Sequence, residues 1–144
     1  MRGKKHPRPS QAGRYNPNEI MKIICPGLSR EEEATTQNIA EIVPLLANKE
    51  DAFVILEKDE MTYMQALWTP KGYDLEYQDG SVLEHYWLSE LATQDDVIWA
   101  LHSYLKNEPF WKTKFKFEKK DIATPSHRIG YKIGAFFGRI FKNI

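Results

Sequence analysis

The chain contains one cysteine, Cys25, among its 144 residues, so an intramolecular disulfide is excluded. No segment approaches the roughly 20 consecutive apolar residues that a membrane-spanning helix needs. The N-terminal segment "MRGKKHPRPSQAGRYNPN" is basic but lacks the apolar core of a signal peptide. Together these absences predict a protein of the reducing cytoplasm, and the length is that of one ordinary domain.

Recognisable catalytic motifs are also missing. The sequence has no glycine-rich phosphate loop, no cysteine pair and no closely spaced histidines, and its four histidines fall in different predicted elements. His85 lies near Glu76 and Glu84 in a predicted strand pair, so a His–Glu dyad is geometrically feasible. Because nothing else converges on it, we expect His85 to be a hydrogen-bonded surface residue. The sequence predicts a non-enzymatic protein without a metal or cofactor.

Charge is strongly segregated along the chain, although the net charge is zero. Residues 1–15 hold five Lys or Arg and no acid (+5), residues 16–110 hold six bases and eighteen acids (−12), and residues 111–144 hold nine bases and two acids (+7). An acidic body between basic ends indicates either interaction surfaces or ends that lie across the body and neutralise it. We expect a mobile basic arm over residues 1–18, one domain over 19–121, and a linker and helix over 122–144.

The first half of the domain is predicted to hold a strand and a helix. The apolar run "IMKIICPG" is typical of an edge strand, and Ser29 with Glu32 forms a capping-box pattern for a helix that continues to Asn48. The three glutamates at 31–33 would then lie in its first turn, where the helix dipole favours carboxylates. Pro44 should kink or split this helix. Its predicted buried stripe comprises Ile39, Ile42, Val43 and Leu46.

The middle of the chain reads as a four-stranded meander, with strands in "AFVILE", "MTYMQALW", "GYDLEYQ" and "SVLEHYWL" and a hairpin turn at Asp79-Gly80. In the third run, apolar and polar residues alternate, which predicts one buried face and one face exposed to water. A second helix follows from Thr93 to about Asn107, and "WKTKFKFEKK" is predicted to be a last strand. The sequence therefore predicts an α+β domain with a mainly antiparallel sheet of about five strands and helices on one face.

Two apolar features lie outside this predicted core. Trp99 projects from the polar side of the second helix, where it is covered by another segment or is available to a partner. The C-terminal stretch "HRIGYKIGAFFGRIFKNI" projects as an amphipathic helix with an apolar arc, a line of three glycines and a basic side. Its apolar arc suits the chain's own body, an anionic membrane surface or another protein, a second copy included. The residues assigned to docking or membrane contact are Ile129, Ile133, Phe136, Phe137, Ile140 and Phe141.

The run "FVILEKDEMTYMQALWTPKGYDLEYQDGSVLEHY", the helix "DDVIWALHSYL" and an aromatic strand after "EPFW" resemble small α+β immunity proteins encoded beside toxins in bacterial polymorphic toxin and contact-competition systems. The similarity covers about residues 50–118, whereas the basic arm and the glycine-bearing tail depart from that compact pattern. The resemblance implies a non-enzymatic protein that binds and blocks a cognate toxin. An acidic body would suit a basic toxin domain.

These observations predict an acidic partner-binding surface on the meander and the second helix. Electrostatic steering by such a surface would favour a basic protein and oppose nucleic acid. The alternative function is that of a peripheral membrane or adaptor protein anchored by residues 126–144. The predicted partner-binding residues are Asp74, Glu76, Gln78, Glu84, His85, Asp95 and Trp99.

Overall fold

A computed structural model of the chain describes residues 20–120. The predicted basic arm and the predicted C-terminal linker and helix lie outside the described residues, as do the six apolar residues assigned to docking or membrane contact. Within the described range, none of the helices has the length and apolar character required to cross a bilayer.

The described residues form one seven-stranded antiparallel sheet with three α-helices, which confirms the α+β class. The strand order across the sheet is β2-β1-β3-β4-β5-β6-β7, so the sheet is wider than the five strands that the sequence predicts. The elements in chain order are β1 (Lys22–Cys25), β2 (Arg30–Glu33), α1 (Thr36–Leu45), β3 (Phe53–Asp59), β4 (Thr62–Thr69), β5 (Gly72–Asp79), β6 (His85–Leu88), α2 (Gln94–Leu105), α3 (Phe110–Lys114) and β7 (Phe117–Lys119).

The start of the first helix was predicted wrongly. The three glutamates at 31–33 belong to β2, which pairs with β1 and makes β1 an internal strand. Helix α1 is capped by Thr35, whose Oγ1 accepts a hydrogen bond from the Asn38 N–H at 3.0 Å while Asn38 Oδ1 accepts one from the Thr35 N–H at 2.8 Å. Two capping patterns therefore compete in the sequence, and strand pairing with β1 decides against the one at Ser29.

The apolar stripe of α1 is confirmed, because Ile39, Ile42, Val43 and Leu46 are all fully buried. The helix ends at Leu45 and does not reach Asn48. The sequence predicts that Pro44 kinks or splits a longer helix. In the structure Pro44 is the penultimate residue of α1 and so lies at the end of the helix. After Pro44 the chain tightens, since the Leu46 N–H donates to the Val43 carbonyl at 3.1 Å and the Ala47 N–H donates to the Pro44 carbonyl at 3.2 Å, and such three-residue bonds close the last turn of a helix.

Helix α2 agrees closely with its prediction, since Thr93 caps it and Val97, Leu101 and Tyr104 are buried. The segment after it differs. The predicted last strand begins instead as the short helix α3, and only the three residues Phe117–Lys119 pair with β6. The reason is tertiary, because α3 places Trp111 in an aromatic cluster with Tyr77 and Tyr104.

The two faces of the sheet have different cores. All three helices pack on one face, here called the helix face, where they share a large apolar cluster with the strands. The opposite face, here called the second face, has a smaller cluster of Ile24, Ile55, Tyr63 and Leu67. No residue of the described helices belongs to this second cluster. The second face is also where the sequence-predicted acidic residues of β5 lie.

Candidate functional site

The polar residues of β5 are buried, which contradicts the prediction that their face is exposed to water. The exposed fractions are 4% for Asp74, 0% for Glu76 and 1% for Gln78. They point to the second face, opposite Leu67, Gln65 and Tyr63 of β4 respectively. Alternation in a strand indicates which residues share a face, but it does not reveal what lies against that face.

His85 is the centre of a buried hydrogen-bond network, so its prediction as a surface residue is wrong. Its exposed fraction is 0%, and its Nε2 lies 2.6 Å from Glu76 Oε1. Its Nδ1 lies 3.1 Å from Gln78 Oε1, which also accepts a hydrogen bond from the Tyr63 hydroxyl at 3.3 Å. Cross-strand pairing between Gln78 and His85 brings these side chains together. The His–Glu dyad, the less favoured alternative, is therefore present in the structure.

The proton positions in this network follow from its hydrogen-bond partners. Gln78 Nε2 donates to the Met61 carbonyl at 3.2 Å, which orients Gln78 Oε1 toward His85. Because that oxygen can only accept, His85 Nδ1 carries a proton. The Nε2 contact is then either imidazolium to carboxylate or imidazole accepting from a protonated carboxyl. In both forms Glu76 and His85 together carry no net charge, which suits their complete burial.

The Tyr63 hydroxyl belongs to the same network and is held in its neutral form. Burial raises the pKa of Tyr63, and the nearby Glu76 charge raises it further. A neutral phenol donates its proton to Gln78 and cannot act as a base at ordinary pH. The network therefore orients side chains and contains no exposed group that could react with a substrate.

Gln65 is the cross-strand neighbour of Glu76, and replacing it tests whether the buried polar side chains of this face stabilise the fold through their hydrogen bonds. Its exposed fraction is 0%, and within residues 20–120 neither its amide nitrogen nor its amide oxygen has a hydrogen-bond partner. A buried unsatisfied polar group costs about 1–3 kcal/mol. We expect Gln65→Leu to raise the free energy of unfolding by about 1 kcal/mol or more in urea titrations. The matched variant Gln78→Leu should lower it, because Gln78 is hydrogen-bonded, and equal losses in the two variants would contradict the account.

The remaining predicted site residues lie elsewhere. Glu84 accepts hydrogen bonds from the Tyr86 hydroxyl at 2.5 Å and from Lys119 Nζ at 3.3 Å, and these two contacts lower the pKa of its carboxyl. Asp95 and Trp99 are on α2, which packs on the helix face. The Trp99 side chain stays 39% exposed, with Phe115 at one edge. The seven predicted partner-binding residues therefore do not form one surface.

A different exposed surface lies where the β3–β4 and β5–β6 connections meet. These two loops are adjacent, because the Gly80 N–H donates to the Met61 carbonyl at 2.9 Å. Met61, Val82 and Leu83 are exposed there by 38%, 44% and 73%. The loop residues 59–62 and 79–84 include four carboxylates and no Lys or Arg. We call this surface, defined by Asp59, Glu60, Met61, Asp79, Val82, Leu83 and Glu84, the hairpin-end patch.

A pocket of about 150 Å³ opens beside the hairpin-end patch on the helix face. Its walls include the aromatic residues Tyr77, Tyr104 and Trp111, and Asp79 belongs to both the pocket and the patch. Pockets for drug-sized ligands typically measure ~300–1,000 Å³, so this one is closer in size to a single side chain of a partner. Sequence reasoning missed the patch and the pocket because it assigned Ser81-Val82-Leu83 to the fourth strand of the meander, whereas β6 begins only at His85 and these three residues lie in the loop before it.

Comparisons with family models, with curated proteins and with solved structures find no match to this chain. The described residues also contain no group of three or more His, Cys, Asp or Glu side chains arranged to hold a metal ion. A functional assignment for the protein therefore rests on the surfaces themselves.

Proposed function

We propose that the protein is a non-enzymatic binding protein of the immunity type, which neutralises a basic protein partner by binding it through the hairpin-end patch. The observation that supports this proposal is the group of exposed apolar side chains at one end of the sheet, next to the carboxylates of Asp59, Glu60 and Asp79, whereas the fourth carboxylate, Glu84, is paired with Lys119. Interfaces commonly combine apolar anchors with a charged rim, and the rim steers a partner of opposite charge.

The placement of the patch suits this role. Both loops are fixed by hydrogen bonds, since the Met61 N–H donates to Asp59 Oδ1 at 2.8 Å and the Asp79 N–H donates to the Glu84 carbonyl at 2.9 Å. Such a surface loses little conformational freedom on binding, which favours affinity. The adjoining pocket gives a partner side chain a place to insert, as anchor residues do at many interfaces.

The buried network supports a non-enzymatic role. Glu76 and His85 are the one pair in the predicted site with the composition of an acid–base dyad, and both have an exposed fraction of 0%. A general acid or base must come within hydrogen-bond reach of a substrate. The same burial removes Asp74 and Glu76 from the steering surface, so the carboxylates of the hairpin-end patch take that role in the proposal.

The test uses the products of the reading frames that flank the gene, each expressed separately and titrated against the full-length protein by biolayer interferometry. We expect one of them to bind with an association rate that falls as salt is added. Leu83→Asp should weaken this binding by at least about tenfold, or ~1.4 kcal/mol, because it places a charge at the most exposed apolar position.

The matched control is Leu45→Asp, which changes an exposed leucine on α1 and should leave binding unchanged. Loss of binding in both variants, or in neither, would reject the hairpin-end patch as the interface. If none of the flanking products binds, the immunity-type function is wrong.

A further inference from the structure

The second face is buried without help from the described helices, and this leads to an inference that is independent of the hairpin-end patch. The exposed fractions of Tyr63, Gln65, Glu76 and His85 lie between 0% and 1%. The second apolar cluster contains strand residues and none from α1, α2 or α3. A sheet face with this many buried side chains needs a second layer of structure against it.

We infer that the second face is the docking surface for residues 126–144 of the same chain. Those residues combine an apolar arc with four Lys or Arg and no acid. The second face combines an apolar centre with carboxylates on successive strands, and charge complementarity therefore favours this occupant. Besides the Glu76–His85 pair, which carries no net charge, cross-strand register places five acids on this face against the two bases Lys22 and Lys120: Glu31, Glu33, Glu57, Asp74 and Glu118.

The last described residue also lies close enough to the second face for residues 126–144 to reach it. The Lys120 N–H donates to the His85 carbonyl at 2.8 Å, and Lys120 Nζ lies 4.4 Å from the centre of the Trp87 ring. The last described residue therefore lies next to the buried network. The five residues 121–125 can span up to about 17 Å, which is enough to turn back across the face.

The dimensions agree as well. A helix of the 19 residues 126–144 would be about 28 Å long. The seven strands are separated by six gaps of about 4.8 Å, which gives a sheet about 29 Å across. A single helix lying across the strands would thus cover the second face from edge to edge. Each of its three glycines lowers helix stability by about 1 kcal/mol relative to alanine, so its formation would depend on docking.

The experiment is zero-length carbodiimide cross-linking of the full-length protein, followed by peptide mass spectrometry. We expect Lys132 or Lys142 to be joined to carboxylates at the rim of the second face, such as Glu57 or Glu118. An equal mixture of ¹⁴N- and ¹⁵N-labelled chains shows whether each link lies within one chain. The positive control is a link between Lys119 and Glu84, whose side chains are 3.3 Å apart.

Several outcomes would overturn the inference when that control link is present. Links from Lys132 and Lys142 to Asp95 and Asp96 of α2, with none to the second face, would place the segment on the wrong side of the sheet. Links only between differently labelled chains would identify a second copy as the occupant. The absence of any link from either lysine would likewise show that the segment does not dock on this face.

A pair of single variants in the full-length chain gives an independent readout. Phe137→Asp puts a charge in the middle of the apolar arc and should lower the Tm by at least about 5 °C. Ala135→Asp makes the same charge change on the basic side of the segment and should have little effect. If neither variant changes the Tm, and the wild-type chain sediments with phosphatidylserine vesicles but not with phosphatidylcholine vesicles, the segment is a lipid anchor and the inference fails.

Discussion

Replacing Glu76 by alanine is expected to lower the free energy of unfolding by about 3–5 kcal/mol, because it leaves the buried His85 ring without its 2.6 Å partner. His85→Ala should cost a similar amount for the reciprocal reason. Urea titration of the full-length protein, followed by far-UV circular dichroism, measures both losses. Most proteins are stable by only about 5–15 kcal/mol, so either variant should be visibly compromised.

The combined variant separates the pairing from simple loss of volume. When both partners of a buried ion pair are replaced by apolar residues, stability is often retained. We therefore expect Glu76→Leu with His85→Leu to lose much less stability than the sum of the two single leucine variants. Glu90→Ala, at an exposed position, is the control and should change stability by at most about 0.5 kcal/mol. Additive losses at positions 76 and 85 would contradict the coupled pair.

Trp111→Ala is expected to have the second large effect, a loss of about 3–5 kcal/mol. The Trp111 ring is 5% exposed and lies 4.7 Å from the Tyr77 ring and 5.5 Å from the Tyr104 ring, measured between ring centres. It therefore joins α3, α2 and β5. Its removal would leave a cavity beside the existing pocket, and the cost of a cavity adds to the lost burial of apolar area.

The neighbouring residue supplies the matched control for this second prediction. Phe110 is in the same short helix but is 56% exposed, so Phe110→Ala should cost less than about 1 kcal/mol. Urea midpoints of the two variants give the comparison directly. Equal losses would mean that α3 contributes through its helical conformation and that the aromatic cluster of Trp111 adds little.

The fold could be predicted from the sequence wherever a local pattern was strong and unopposed. The four strands of the meander and helix α2 have periodic apolar residues and clear turn or capping residues, and the structure contains all of them, although the fourth strand begins at His85 and not at Ser81. Prediction failed at residues 29–33, where a capping pattern and strand pairing compete. It failed again at 110–116, where the packing of Trp111 favours the short helix α3 over the predicted last strand. In both places a contact distant in sequence decides the local conformation.

The candidate site was less predictable than the fold. The sequence indicated that Asp74, Glu76 and Gln78 share a face, and their register with β4 confirms this. It could not indicate that this face is buried, and acidic side chains in alternation are far more often exposed. The hairpin-end patch depends on two loops that are about twenty residues apart in sequence and meet through the contact between Gly80 and Met61.

By itself, the sequence determined the α+β class, the meander, the buried stripes of the helices and the segregation of charge, since these depend on periodicity and composition. Only the tertiary structure decided that β1 is an internal strand, that Glu76 and His85 are buried together and that the apolar loop residues meet at one end of the sheet. The reason is physical. Side-chain period depends on neighbours along the chain, whereas burial depends on what packs against each face, and long-range strand pairing brings those partners together.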